Sequence, residues 1–171
     1  GNALDSLGRH EEAVACFEQA LARDGQHPAA WNNKGLGQDS LGQHEEAIRS
    51  YDKALALDPG YAGAWNNKGG SLFQLGRDDE ALACYEKALE LAPGEAGAWR
   101  NKGDVLNRLG RYEEAAGAYV QATRIFEGLQ DLRSVAVAKG QLADVRRQQK
   151  NHAEALRLYA EVREVFERLN E

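Results

Sequence analysis

The sequence predicts an all-α protein built as a stack of helical hairpins, and two recurrences carry that prediction. Trp31-Asn32-Asn33-Lys34-Gly35 returns as Trp65-Asn66-Asn67-Lys68-Gly69 and again as Trp99-Arg100-Asn101-Lys102-Gly103, each 34 residues after the last. A second block keeps the same phase: LGRHEEA at 7–13, LGQHEEA at 41–47, LGRDDEA at 75–81 and LGRYEEA at 109–115. A fixed period of this length marks tandem helical hairpins that bury their apolar faces on one another.

Each full period reads as two amphipathic helices. In the second, Trp31, Gly35 and Leu41 mark a face of the first helix, while Ala47, Ile48, Tyr51, Ala54 and Leu55 follow at helical spacing on the next. Small residues (Gly35, Ala47, Ala54) stand where helices must approach closely, and Trp31, Tyr51, Leu55 and Leu57 fill the space between. Gly42 breaks the first helix, and Asp58-Pro59-Gly60 ends the second.

The array is expected to occupy 1–171 as one domain: a truncated repeat at 1–27, repeats at 28–61, 62–95 and 96–129, and a longer one at 130–171. In the truncated repeat Gly1 stands where Gly35 stands later, and the second helix should cover 10–23. The chain begins with Gly1 in mid-motif and contains no Met, so it reads as part of a longer protein. At the other end the period lengthens. The helix from 112 should run to about 127, Gly128-Leu129-Gln130 should turn, and long helices should follow at roughly 131–149 and 152–169.

This pattern resembles the tetratricopeptide repeat. Trp65, Gly69, Leu75, Gly76, Ala81, Tyr85, Ala88 and Pro93 stand at the family's positions in order, and Trp99, Gly103, Leu109, Gly110, Ala115, Tyr119 and Ala122 do so in the next repeat. The resemblance covers nearly the whole chain. It implies a right-handed α–α superhelix of about five antiparallel hairpins, whose first helices line a concave groove for peptides or partner helices. The longer fifth repeat resembles those of kinesin light chains and many bacterial signalling proteins. Gly37-Gln38 departs from the pattern, standing where the next repeats have Ser71-Leu72 and Val105-Leu106. A mid-helix glycine costs about 1 kcal/mol, and the sequence offers no functional reason for the pair.

Composition removes several classes of function. With 21 Lys plus Arg against 27 Asp plus Glu, the net charge of −6 argues against general nucleic-acid binding. From residue 130 on, basic residues slightly outnumber acidic ones, but Arg146, Arg147 and Lys150 cluster at a helix end, where cations suit the dipole. No apolar run approaches the ~20 residues that span a bilayer. Cys16 and Cys84 lie two repeats apart, beyond the ~7 Å reach of a disulfide, and read as free thiols in a reducing cytoplasm.

Catalysis and metal binding are not expected. Successive copies of His10, His44 and His152 open second helices roughly 10 Å apart, whereas zinc ligands must converge within about 2 Å of the ion. Glu11-Glu12, Glu45-Glu46 and Glu113-Glu114 sit in first turns, where carboxylates favour the helix dipole. Lys34, Lys68 and Lys102 adjoin the packing glycines, so their stems should cover apolar surface while the amines reach water. The expected function is protein interaction without cofactor, metal, nucleic acid or membrane.

The candidate peptide-binding residues are Asn32, Asn33, Asn66, Asn67, Phe73, Gln74, Arg100, Asn101, Asp104 and Arg108, on two stripes of the first helices. Asn is a poor mid-helix residue, and Asn33, Asn67 and Asn101 would offer one donor–acceptor amide per repeat to an extended backbone. Phe73 is the candidate apolar anchor. Some family members clamp a C-terminal carboxylate with groove lysines and a second Asn. Asn32, Asn66, Leu36 and Gly70 do not supply those residues here, and only Asn67 matches. As an alternative, the array is a spacer or self-association module of a larger signalling or regulatory protein, acting through Val162, Val165, Phe166 and Leu169 on its last helix.

Overall fold

A computed structural model describes residues 9–169. Among these residues the chain forms nine α-helices: α1 His10–Arg23, α2 Pro28–Ser40, α3 His44–Leu57, α4 Ala62–Gln74, α5 Asp78–Leu91, α6 Ala96–Arg108, α7 Tyr112–Gly128, α8 Leu132–Gln148 and α9 His152–Leu169. They belong to an all-α helical solenoid. The helices α1, α7, α8 and α9 begin and end within a residue or so of the expected limits. The remnant first helix expected at 1–8 lies outside the described residues. The chain divides into two compact units, one ending at Ala92 and one beginning at Pro93.

In the first unit each helix from α1 to α5 packs on the next. The α2–α3 hairpin closes because Gly35 has no side chain. A Cβ there would stand 2.5 Å from Cε1 of the buried Tyr51, and at Gly69 it would stand 2.8 Å from Tyr85. Between hairpins, Ala54, Leu55 and Ala64 form a buried cluster flanked by Trp31, Tyr61 and Trp65. The tryptophans also tie down the loops before them: Trp31 Nε1 donates to Gly25 O at 2.9 Å, and Trp65 Nε1 to Pro59 O at 3.0 Å.

The turns explain the Leu-Gly-Arg block. Gly42 and Gly76 adopt φ of 74° and 73°, which lets Gln43 and Arg77 donate back to Gln38 O and Leu72 O at 2.9 Å. This closure is the Schellman motif, and glycine enters it without steric cost. Arg77 then reaches into the next helix, donating from Nε to Glu80 at 2.7 Å, and Arg9 pairs with Glu12 in the same way. The first-turn glutamates therefore serve both the dipole and a local ion pair. Gly37-Gln38 also finds a structural reason: Gln38 is buried, and its Oε1 accepts from Ser50 Oγ at 2.6 Å.

The second unit repeats the scheme in α6 to α9. Trp99 Nε1 donates to Pro93 O at 2.9 Å, and a Cβ on Gly103 would meet Tyr119 Cε1 at 2.6 Å. Gly110 turns at φ 74°, but the two turns of the fifth hairpin use Gln130 and Lys150 at φ 59° and 62°. The α8 helix begins at an Asp131 cap whose Oδ1 accepts from Ser134 N at 3.0 Å.

Candidate functional site

In the first unit the predicted stripes lie on α2 and α4, and three of the asparagines there bond one another. Asn67 Nδ2 donates to Asn32 Oδ1 at 2.9 Å, and Asn32 Nδ2 donates to Asn33 Oδ1 at 3.3 Å. Asn32 is only 4% exposed. The Asn67–Asn32 bond joins adjacent first helices. A buried amide must find partners, and the neighbouring repeat supplies them. Asn33, Asn66, Asn67 and Phe73 are half-buried, while Gln74 is exposed.

Beside that seam lies a residue the sequence reading passed over. The Asp39 carboxylate accepts from Tyr51 Oη at 2.8 Å, from Ser71 Oγ at 2.8 Å, and pairs with His44 Nδ1 at 2.9 Å. One side chain on α2 thus holds the first residue and the middle of α3, and α4. Asp39, Ser40, His44, Gly70, Ser71 and Gln74 line a cleft of about 340 Å³. Gly70 leaves it open where the equivalent positions carry Leu36 and Asp104. With its Nδ1 committed to Asp39, the His44 ring is fixed in orientation at the edge of the cleft. The signal available in the sequence was Asp39 sharing the stripe of Asn32 and Leu36.

In the second unit Arg100, Asn101 and Asp104 are half-buried on α6, and Arg108 is exposed. Asp104 Oδ1 accepts from Tyr119 Oη at 2.7 Å and from Gln141 Nε2 at 2.6 Å. Burial pushes the Asp104 carboxyl above its ordinary range, against the opposing pull of the Tyr119 hydroxyl and the Arg100 charge. Tyr119 is itself driven far up by burial and by Asp104 beside it. Like Asp39, Asp104 binds its own hairpin and the following first helix together. On α9, Val162 and Val165 are half-buried, whereas Phe166 and Leu169 are each 42% exposed.

The lysine row differs from expectation. Lys34, Lys68 and Lys102 set their amines 5.5, 5.7 and 5.8 Å from the centroids of Trp31, Trp65 and Trp99. Lys34 also meets Glu18 at 2.9 Å, and Lys68 meets Asp52 at 2.7 Å. These amines do not simply reach water; each is held over an indole face, and these two also pair with a carboxylate on the preceding second helix.

Stacked hairpins of this kind, with polar seams between first helices and no enclosed reactive centre among the described residues, define a helical repeat scaffold for protein–protein interaction. Family models of the tetratricopeptide repeat match residues 60–128 and 94–168, and another of the same description matches residues 1–62. The chain belongs to the tetratricopeptide repeat family. No curated protein matches it by sequence. Among solved structures it is similar to MamA 41-end from Desulfovibrio magneticus RS-1, at 20% identity and a TM-score of 0.88, covering 99% of this chain and 93% of that one. It is also similar to YrrB, described as a TPR protein with an unusual peptide-binding site (22% identity, TM-score 0.76, 96% and 81% covered). A third is TTC0263, a thermophilic TPR protein in Thermus thermophilus (24% identity, TM-score 0.75, 96% and 87% covered). At these identities the likeness concerns the fold.

Proposed function

We propose that the chain binds an extended segment of a partner protein on the first-helix face of α2 and α4, without catalysis, in the cytoplasm. The supporting observation is the cleft of about 340 Å³ beside Asp39 and His44, kept open by Gly70 and bordered by the exposed amide of Gln74. Half-buried Phe73 on the same helix offers apolar surface, and Leu36 is exposed on α2. The reading is in keeping with YrrB, whose description names a peptide-binding site. No helix among the described residues is long and apolar enough to cross a membrane. Arg100, Asn101, Asp104 and Arg108 would form a second stretch of such a surface on α6.

The test selects peptides from a random library on the whole chain and measures their affinity for a Gly70→Leu variant, which fills the cleft, and for Phe73→Ala. The proposal expects at least a ten-fold loss in one of them, on the order of a single interface hot spot. Unchanged affinity in both would remove α2 and α4 from the binding surface.

A second reading takes α9 as a self-association surface. Leu156, Phe166 and Leu169 are exposed there, and Leu156 stands where Ile48 and Ala116 are buried on earlier second helices. Sedimentation at rising concentration distinguishes the two: a monomer throughout rules this second reading out.

A further inference from the structure

The crevice between the two second helices α7 and α9, floored by α8, has a counterpart in the first unit between α1 and α3, floored by α2. Aligning Ala155 with Ala47 and Ala115 with Ala13 puts the linings in register. In the first unit Trp31 and Lys34 form the floor, with Glu18 on one wall and Ser50 on the other. In the second unit the corresponding residues are Lys139, Leu142, Val120 and Leu158.

The exchange changes both shape and chemistry. Where the first-unit crevice holds an indole ring, the second holds a lysine whose amine is drawn to Glu161 at 3.0 Å and Glu127 at 3.3 Å. The crevice has about 270 Å³, close to the 310 Å³ of its first-unit counterpart, but its walls are the apolar Val120, Leu142 and Leu158. Val120 is exposed, and Leu142 and Leu158 are buried beneath it. Leu142 takes the place of the first-unit lysine, and the cation moves to the position of the ring. Lys34 stands over Trp31 in the first unit, and Lys139 supplies an ammonium in the second without a ring beneath it.

Charge at the rim fixes the character of the occupant. Arg124, Arg157 and Lys139 face Glu127 and Glu161, so cations outnumber carboxylates around the crevice in a chain that is acidic overall. Lys139 is matched by both glutamates, and Arg157 Nε lies 3.7 Å from Glu161. Arg124 is exposed on α7 with no ion pair among the described residues.

We propose that this crevice is an anchor pocket for one aromatic side chain, Trp or Tyr, carried by an acidic segment of a partner protein. The ring lies against Val120, Leu142 and Leu158, with Lys139 as the cation at its face. A carboxylate flanking the ring meets Arg124. Aromatic residues in desolvated pockets dominate protein interfaces because they bury much area at little entropic cost. This surface uses Lys139 and Leu142 of α8 and none of the residues around the Asp39 cleft, so it stands or falls independently of the reading above.

The probe is the peptide acetyl-Glu-Asp-Trp-Glu-Asp-amide, titrated into isotope-labelled full chain and followed by NMR. Saturable shifts are expected at Val120, Thr123, Leu142 and Leu158. Replacing the peptide's Trp by Ala, or its four acids by Lys, should weaken binding by about ten-fold or more, as removal of a hot-spot contact does. Val120→Glu, which installs at an exposed position the residue the first unit carries there, should weaken it comparably while the chain keeps its helical spectrum. The proposal is overturned by equal binding of the Ala peptide, by shifts confined to other helices, or by no saturable binding. It is equally overturned if the same resonances move when the chain alone is concentrated, because a second copy would then occupy the crevice.

Discussion

Gly35 and Tyr51 touch so closely that a single methyl group cannot be placed between them: its carbon would lie 2.5 Å from the ring edge of a side chain with no exposed surface. The same contact recurs at Gly69 with Tyr85 and at Gly103 with Tyr119. The tyrosine cannot swing aside, because its hydroxyl donates to Asp39 at 2.8 Å across the same hairpin. Gly35→Ala should therefore destabilise the chain by about 1–3 kcal/mol through overpacking, even though alanine is the better helix former. Urea unfolding checks this. An unchanged midpoint would mean that the hairpin opens without resistance.

Gln38 and Ser50 form a matched polar pair inside the α2–α3 hairpin, at positions taken by Leu72 with Cys84 in the next repeat and by Leu106 with Ala118 in the one after. Ser50→Ala alone leaves the Gln38 carbonyl oxygen buried without its donor and should cost about 1–3 kcal/mol. Gln38→Leu combined with Ser50→Ala reproduces the α6–α7 arrangement and should restore or exceed the original stability. A double-mutant cycle on unfolding free energies reads the coupling. Strict additivity of the two changes would show that the pair does not interact.

Much of this architecture was legible from the period alone. Trp31, Gly35 and Tyr51 recur because each fills or vacates a fixed volume, and volume is written directly in residue identity. Hydrogen-bond direction is not. Asn32 and Asn67 stand on different stripes of the first helices, and nothing in their spacing shows that Nδ2 of Asn67 turns to Oδ1 of Asn32 across the repeat seam. Amides satisfy whichever partner geometry supplies, and that geometry comes from superhelical stacking rather than from local spacing. Ser50 was the missed signal for Gln38: a hydroxyl where other repeats place Cys84 or Ala118 marks a polar partner opposite. Of the Asp39 cleft only Gln74 was among the candidates, because the opening made by Gly70 depends on what packs around it.

The fifth hairpin departs from the others at its turns. Lys150 and Gln130 hold φ of 62° and 59°, in the left-handed region that glycine occupies at 42, 76 and 110. A left-handed backbone costs a residue with a Cβ roughly 1–2 kcal/mol. Lys150 N still closes the turn on Arg147 O at 3.0 Å. Lys150→Gly should raise stability by about 1 kcal/mol, the gain being reduced by glycine's greater freedom in the unfolded chain. A thermal midpoint that falls instead would show that the lysine side chain contributes more than its backbone costs.

Asp104 gives the fold a pH dependence with a definite sign. Its carboxyl is raised above the ordinary value of 3.8, first by burial, while the Tyr119 hydroxyl and the Arg100 charge act the other way. The folded chain therefore binds this proton more tightly than the unfolded chain does. The stability it contributes is fully present below the unfolded value and is lost as pH rises through the folded one. Asp104→Asn keeps an oxygen for Tyr119 and Gln141, both within 2.7 Å of the present carboxylate oxygen, but carries no charge to desolvate. The stability of Asp104→Asn relative to the parent should therefore rise between about pH 3 and pH 7, measured by urea unfolding at each pH. A difference that stays flat, or that falls as pH rises, would mean that the Arg100 charge and the Tyr119 hydroxyl together outweigh burial at this carboxylate.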